Sequence, residues 1–128
     1  MGVARTGIQV RAREPWNPLH VLARPGETFA FSCTGVWSDA GIASGPAGQP
    51  GVGLQRLAGW LRRKPDAPWF AVIGALGRDS TTLFTIGEAC EWTNNTGREA
   101  PLFVFANDVR LFYGNNSGGV LLDLRRTG

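Results

Sequence analysis

"PLFVFANDVRLFYGNNSGGVLLDLRR", residues 101–126, is two apolar segments on either side of a turn-rich centre. "PLFVFAND" reads as a core strand. Along "GVLLDLRR", Val120, Leu122 and Leu124 alternate with their neighbours, the period-two pattern of a half-buried strand. Between the two, Asn107-Asp108 is followed by Asn115-Asn116 and then by Ser117-Gly118-Gly119.

The same strand–turn–strand texture extends outward from this segment. "TFAFSCTGVW" (28–37) sets Phe29, Phe31 and Cys33 on one face, "PWFAVIGALG" is a wholly apolar strand, and "TTLFTIGEACEW" carries one or two more. "GIQVRA" opens the series. In "EPWNPLHVLARPGE" two prolines interrupt any helix, and Pro25-Gly26 makes a turn. The 18 glycines and 8 prolines are spread along all 128 residues, which favours short strands over long helices. The expectation is an all-β fold: one domain, residues 1–128, built as a jelly-roll type β-sandwich of seven to eight short strands. One short helix is expected over 54–63, where Leu54, Leu57, Ala58 and Leu61 recur at helical spacing until Lys64-Pro65 ends it. It either lids the core or offers Arg56, Arg62 and Arg63 as a basic face. The small-residue run "SDAGIASGPAGQPGVG" (38–53) is a loop long enough to be functional or mobile.

Several function classes lose ground on composition. A net charge of +3 with interspersed acids argues for solubility and against nucleic acid as a partner. No apolar run approaches the roughly 20 residues of a membrane span, so no membrane insertion is expected. The start, "MGVARTGIQVRAREP", has no apolar core of a secretory signal; synthesis in the cytoplasm is expected, with release to the exterior left open. The single histidine, His20, stands without a nucleophile, and no phosphate loop or zinc-protease motif occurs, so no enzyme is expected. Cys33 and Cys90 form no C-x-x-C pair; a disulfide between them stays open.

What remains is hard oxygen chemistry. Calcium takes about six to eight oxygens from carboxylates, carboxamides and backbone carbonyls. Asp108 offers the anionic oxygens and Asn115 and Asn116 neutral ones, while "VRLFYG" is long enough to loop out and return. Asn-Asn-Ser-Gly is also simply a good turn. "TNNTG" (93–97) is an internal control, with the Asn-Asn dipeptide but no Asp seven residues before it.

The pattern "NDV…YGNNSG", Asn107-Asp108-Val109 and Tyr113 to Gly118, resembles the small calcium-dependent, galactose-binding bacterial lectins of the PA-IL type. Weaker matches in the same order include Pro25-Gly26-Glu27, Trp37, the "GP" loop and the Asn-Asn before "PLFVFANDV". The resemblance implies a β-sandwich with Ca2+ at one end, held by the side chains of Asp108, Asn115 and Asn116 and by the backbone carbonyl of Phe112. A second carbonyl falls on Ala40, or on Asp39 under the alternative anchoring. It further implies that two neighbouring galactose hydroxyls complete the ion's shell, bonded by Asp108 and Asn115, with the backbone near Val109 helping. Galactose-containing glycans are then the partners, and a homo-oligomer, a tetramer by resemblance, presents several sites.

The sugar-facing half departs from the pattern. The family contacts the exocyclic hydroxyl with a His and a Gln; here only Gln49 stands near the His position. "QRLAGWLRRKPDAPW" is longer than its counterpart, with Trp60 or Trp69 as replacement stacking surfaces if they are not core. The leading expectation is a lectin. The rivals are an interaction module in which calcium only pins the loop, and a carbohydrate-binding module cut from a larger enzyme or toxin.

Overall fold

The computed structural model describes residues 3–51 and 61–128, and the alternating segments pair into two antiparallel sheets. One holds, in order, β1 (Ala4–Arg11), β9 (Asn116–Arg126), β3 (Thr28–Asp39) and β4 (Ile42–Ser44), with β7 (Ala89–Thr93) also on β3. The other runs β2 (Asn17–Ala23), β8 (Ala100–Ala106), β5 (Val72–Leu76) and β6 (Phe84–Thr85). The all-β sandwich is as expected. It has nine strands among the described residues, where seven to eight were foreseen. The strands not read from sequence are β2 and the three-residue β4.

β2 forms despite its proline because it lies at a sheet edge, where a missing N–H costs no ladder bond. Asn17, Leu19, Val21 and Ala23 point inward. The register slips between Pro18 and Leu22, where His20 sits at φ 59°.

β3 is the spine of the molecule. One side pairs with β9 from Phe29↔Arg126 to Asp39↔Asn116, and the other side takes first β7 and then β4. Its inward Phe29, Phe31, Cys33 and Trp37 meet Val120, Leu122 and Leu124 of β9, and Leu102, Val104 and Ala106 of β8. Each large apolar side chain fully buried there contributes about 1.5–3 kcal/mol before conformational entropy is charged against it. β5 is buried on both faces. Ile73 joins Ala67, Ala71 and Phe105 in a second cluster that Trp16 and Leu83 cover. On β5, a Cβ at Gly74 would drive into the ring of Phe84, which stacks on Trp92 at 4.4 Å between centroids.

Both cysteines are free thiols. Cys90 faces Phe31 across the ladder, while the Cys33 N–H donates to Glu88 at 2.9 Å. The two are therefore diagonal neighbours, a pairing whose Cα separation of about 7–8 Å exceeds what a disulfide spans. Burial pushes Cys33 up to about 12 and Cys90 up to about 11, which disfavours the reactive thiolate in both. The helix expected over 54–63 falls mostly on residues 52–60, outside the described residues. At its far end Arg62 forms an isolated bridge with Val109. No helix among the described residues is long and apolar enough to cross a membrane.

Candidate cation site

At one end of the sandwich the last residues of β3 and β8 meet the first of β9. Asp39 and Asn116 are cross-strand partners, and both are buried. Asp108 lies two residues past β8, 1% exposed. Between Asp108 and Asn116 the chain makes a 3-10 turn, Arg110–Asn115, closed by the Phe112 N–H on the Val109 carbonyl at 2.9 Å. Tyr113 anchors the turn from inside. Its hydroxyl donates to the Ala106 carbonyl and accepts from Arg63 Nη1. The out-and-back path foreseen for "VRLFYG" is this turn, and it returns Asn116 to the end of the fold that carries Asp108.

Two oxygens here are buried without a donor. Asp108 Oδ1 accepts the Val109 N–H at 2.7 Å, but its Oδ2 accepts nothing. Asn116 Nδ2 donates to the Ala12 carbonyl at 3.0 Å, but its Oδ1 has no partner. Burial pushes the Asp108 carboxyl up to about 6; the Val109 N–H works against this, the nearby Asp39 carboxylate adds to it, and the Asn116 carboxamide offsets part. Buried oxygens rarely stay unsatisfied, because each costs about 1–3 kcal/mol. Carboxylate oxygens together with a carboxamide oxygen suit a hard divalent cation. Asp108, Asn116 and Asp39 are the buried side chains at this end that could hold one, and Asn115 lies beside them on the surface.

A pH dependence follows for protein kept in chelator. Asp108 has a higher pKa folded than unfolded, so between about pH 4 and 6 the folded state holds the extra proton. Its contribution is therefore present at low pH and lost as pH rises through about 6. Chelated protein should be about 2–3 kcal/mol less stable at pH 7 than this group alone would allow at pH 4. Urea melts of wild type and Asp108→Asn across that range check it: the difference between the two should grow with pH.

The other Asn-Asn pair behaves as a turn. Asn94 is 1% exposed, yet its Oδ1 accepts from Thr96 N and Oγ1, and its Nδ2 donates to the carbonyls of Ala23 and Arg98. Nothing is left over for a ligand. Asn94→Ala should cost about 2–3 kcal/mol in urea melts and leave any calcium response of the thermal midpoint unchanged.

The remaining foreseen residues divide. Ala40 sits in the β3–β4 turn at φ 49°, its N–H on the Asn115 carbonyl at 3.0 Å, so Ala40 and Asn115 are adjacent. Asn115 and Phe112 are exposed on the outer side of the 3-10 turn, while Val109 is 8% exposed beneath it. Gln49 stands apart. Its N–H donates to Trp69 at 2.8 Å, its Nε2 is buried without a partner, and no described hydrogen bond ties it to Asp108. Trp69 is 3% exposed, so it is core and not a stacking platform; Trp60 lies outside the described residues.

Three contributors escaped the sequence reading. As a cation ligand Asp39 was weighed only for its backbone carbonyl; the burial of its side chain opposite Asn116 depends on the β3–β9 register. Asn107, 0% exposed, accepts the Lys64 N–H and donates to the carbonyls of Lys64, Ala67 and Pro68, tying the 64–68 segment to the strand before Asp108. Arg63 turns inward. Its guanidinium lies 3.3 Å from the Phe105 ring centroid and 4.3 Å from that of Trp16, and its backbone N–H donates to the Asp108 carbonyl. Arg62 spends its own donors on the Ala67 and Pro65 carbonyls. Of the basic face foreseen at Arg56, Arg62 and Arg63, the two arginines that are described serve the fold.

No protein-family model matches the chain, and no curated protein matches it. Among solved structures, the EclA N-terminal domain, described as a PllA-like lectin, matches with a TM-score of 0.66. The match covers 97% of this chain and 98% of that one at 17% identity. This chain shares the fold of a lectin domain. The likeness spans both sheets, so the end carrying Asp108 is part of the common architecture and not an appendage.

Proposed function

We propose that the protein is a non-enzymatic, calcium-dependent lectin for galactose or galactosides. The observation that carries the reading is the pair of buried oxygens without donors, Asp108 Oδ2 and Asn116 Oδ1, at one end of a lectin-type sandwich. Asp108, Asn115 and Asn116 would hold Ca2+ with their side chains, joined by backbone carbonyls of Phe112 and of Ala40 or Asp39. The buried Asp39 carboxylate adds a second negative charge to balance the ion. Bound calcium would supply a hard acid whose open positions vicinal sugar hydroxyls can fill. The chain's own part is to orient the sugar. Asp108 and Asn115 accept and donate hydrogen bonds to those hydroxyls, the backbone at Val109 assists, and Gln49 is the polar group on the neighbouring loop. Assembly into a homo-oligomer, a tetramer by resemblance, would raise weak single-site binding through multivalency.

The test is retention on immobilised galactose with calcium and then with a chelator. Retention in calcium and release by chelator are expected. Retention that survives the chelator sinks calcium dependence, and failure to bind in calcium sinks the galactoside reading.

A further inference from the structure

Next to the Asp108 end lies an open depression of about 730 Å³, walled by Gln9, Arg11, Arg13 and Glu14 and floored by Gly118 and Gly119. It adjoins the candidate cation site through one residue. The Ala12 carbonyl accepts from Asn116 Nδ2 and the Ala12 N–H donates to Gly118, both at 3.0 Å. Ala12 is fully buried, and its neighbours Arg11 and Arg13 are both exposed. Neither guanidinium makes an ion pair or hydrogen bond among the described residues, and neither does the Glu14 carboxylate, the one acid in the wall. The floor is bare backbone: a Cβ at Gly119 would press on the Val10 carbonyl at 2.6 Å.

A glycine floor beside two unpaired guanidiniums leaves room for a sugar ring carrying an anion. Guanidinium is the side chain best shaped to bind carboxylate or sulfate through paired hydrogen bonds. We infer that this depression is an extended subsite for an acidic group, carboxylate or sulfate, on a glycan whose galactose occupies the Asp108 end. The inference rests on the galactoside reading of that end. Glu14 sets a limit on the subsite: two cations against one carboxylate leave a net attraction that salt weakens.

Calorimetric titration of the calcium-loaded protein at low salt tests it with three ligands. These are lactose, lactobionate (carboxylate on the unit next to galactose) and lactose sulfated on the galactose exocyclic hydroxyl. All three leave the galactose ring hydroxyls free. At least one acidic ligand should bind about tenfold tighter than lactose, with the advantage shrinking as salt rises. Which of the two gains says whether carboxylate or sulfate is the better fit. In the double variant Arg11→Ser, Arg13→Ser the advantage should vanish while lactose affinity is unchanged. Lactose binding with no acidic advantage, or an advantage that the double variant keeps, overturns the subsite and leaves the lectin reading standing. No binding of any of the three to folded, calcium-loaded protein overturns both.

Discussion

Asp108→Asn should abolish calcium-dependent retention on galactose and weaken calcium binding at least about 100-fold, about 3 kcal/mol, without lowering the stability of the chelated protein. The substitution keeps the shape of the side chain and the oxygen that accepts the Val109 N–H, and it removes only the charge. That charge is disfavoured in the absence of an ion, since burial and Asp39 hold the carboxyl up to about 6. Its loss therefore helps the metal-free fold and harms the ion-bound one. In wild type, calcium at about 100 times its dissociation constant should add about 2.7 kcal/mol and raise the thermal midpoint by about 10 °C. In Asp108→Asn the rise should disappear. A variant that is destabilised in chelator yet still gains the full rise would assign Asp108 to the fold and not to the ion.

Asn107→Ala should be the most damaging single change near the site, costing about 3–5 kcal/mol in urea melts. Asn107 is fully buried, and its carboxamide satisfies one N–H and three carbonyls of the 64–68 segment. Truncation leaves the Lys64 N–H without its acceptor and takes one donor from each of three carbonyls, which keep the Ala67 N–H, Arg62 Nε and the Ala71 N–H. Its backbone also joins neighbouring strands, donating to Ala71 and accepting from Phe70, whose φ is 60°. The Phe70 carbonyl is held in turn by Trp37 Nε1 at 3.1 Å. The loss should therefore reach Asp108, and calcium affinity measured on the remaining folded protein should fall as well. A variant that melts like wild type would show that the segment finds other partners.

The fold was legible where period-two patterning is strong. Phe29, Phe31 and Cys33 in β3, and Val120, Leu122 and Leu124 in β9, face inward as the alternation says. It was illegible where tertiary context overrides a local signal. The prolines in and before "NPLHVLA", Pro18 and Pro15, read as interruptions, yet an edge position and a slipped register let β2 form. The two buried oxygen donors Asp108 and Asn116 were legible as a motif because they lie within one short segment. The Asp39 carboxylate was not, since its place opposite Asn116 exists only once two distant strands pair. Nor was the inward turn of Arg63, because a charged residue off an apolar stripe normally faces water and only the folded rings of Trp16, Phe105 and Tyr113 show otherwise.

The candidate donors are drawn from both layers of the sandwich. Asp39 and Asn116 end strands of one sheet, and Asp108 follows a strand of the other. An ion bound among them would act as a rivet driven through the two plates after they have closed. A half-assembled chain presents no such set, so calcium should leave the refolding rate nearly unchanged and act by slowing unfolding. The protein's lifetime outside a calcium-rich medium would then be set by how fast the plates part.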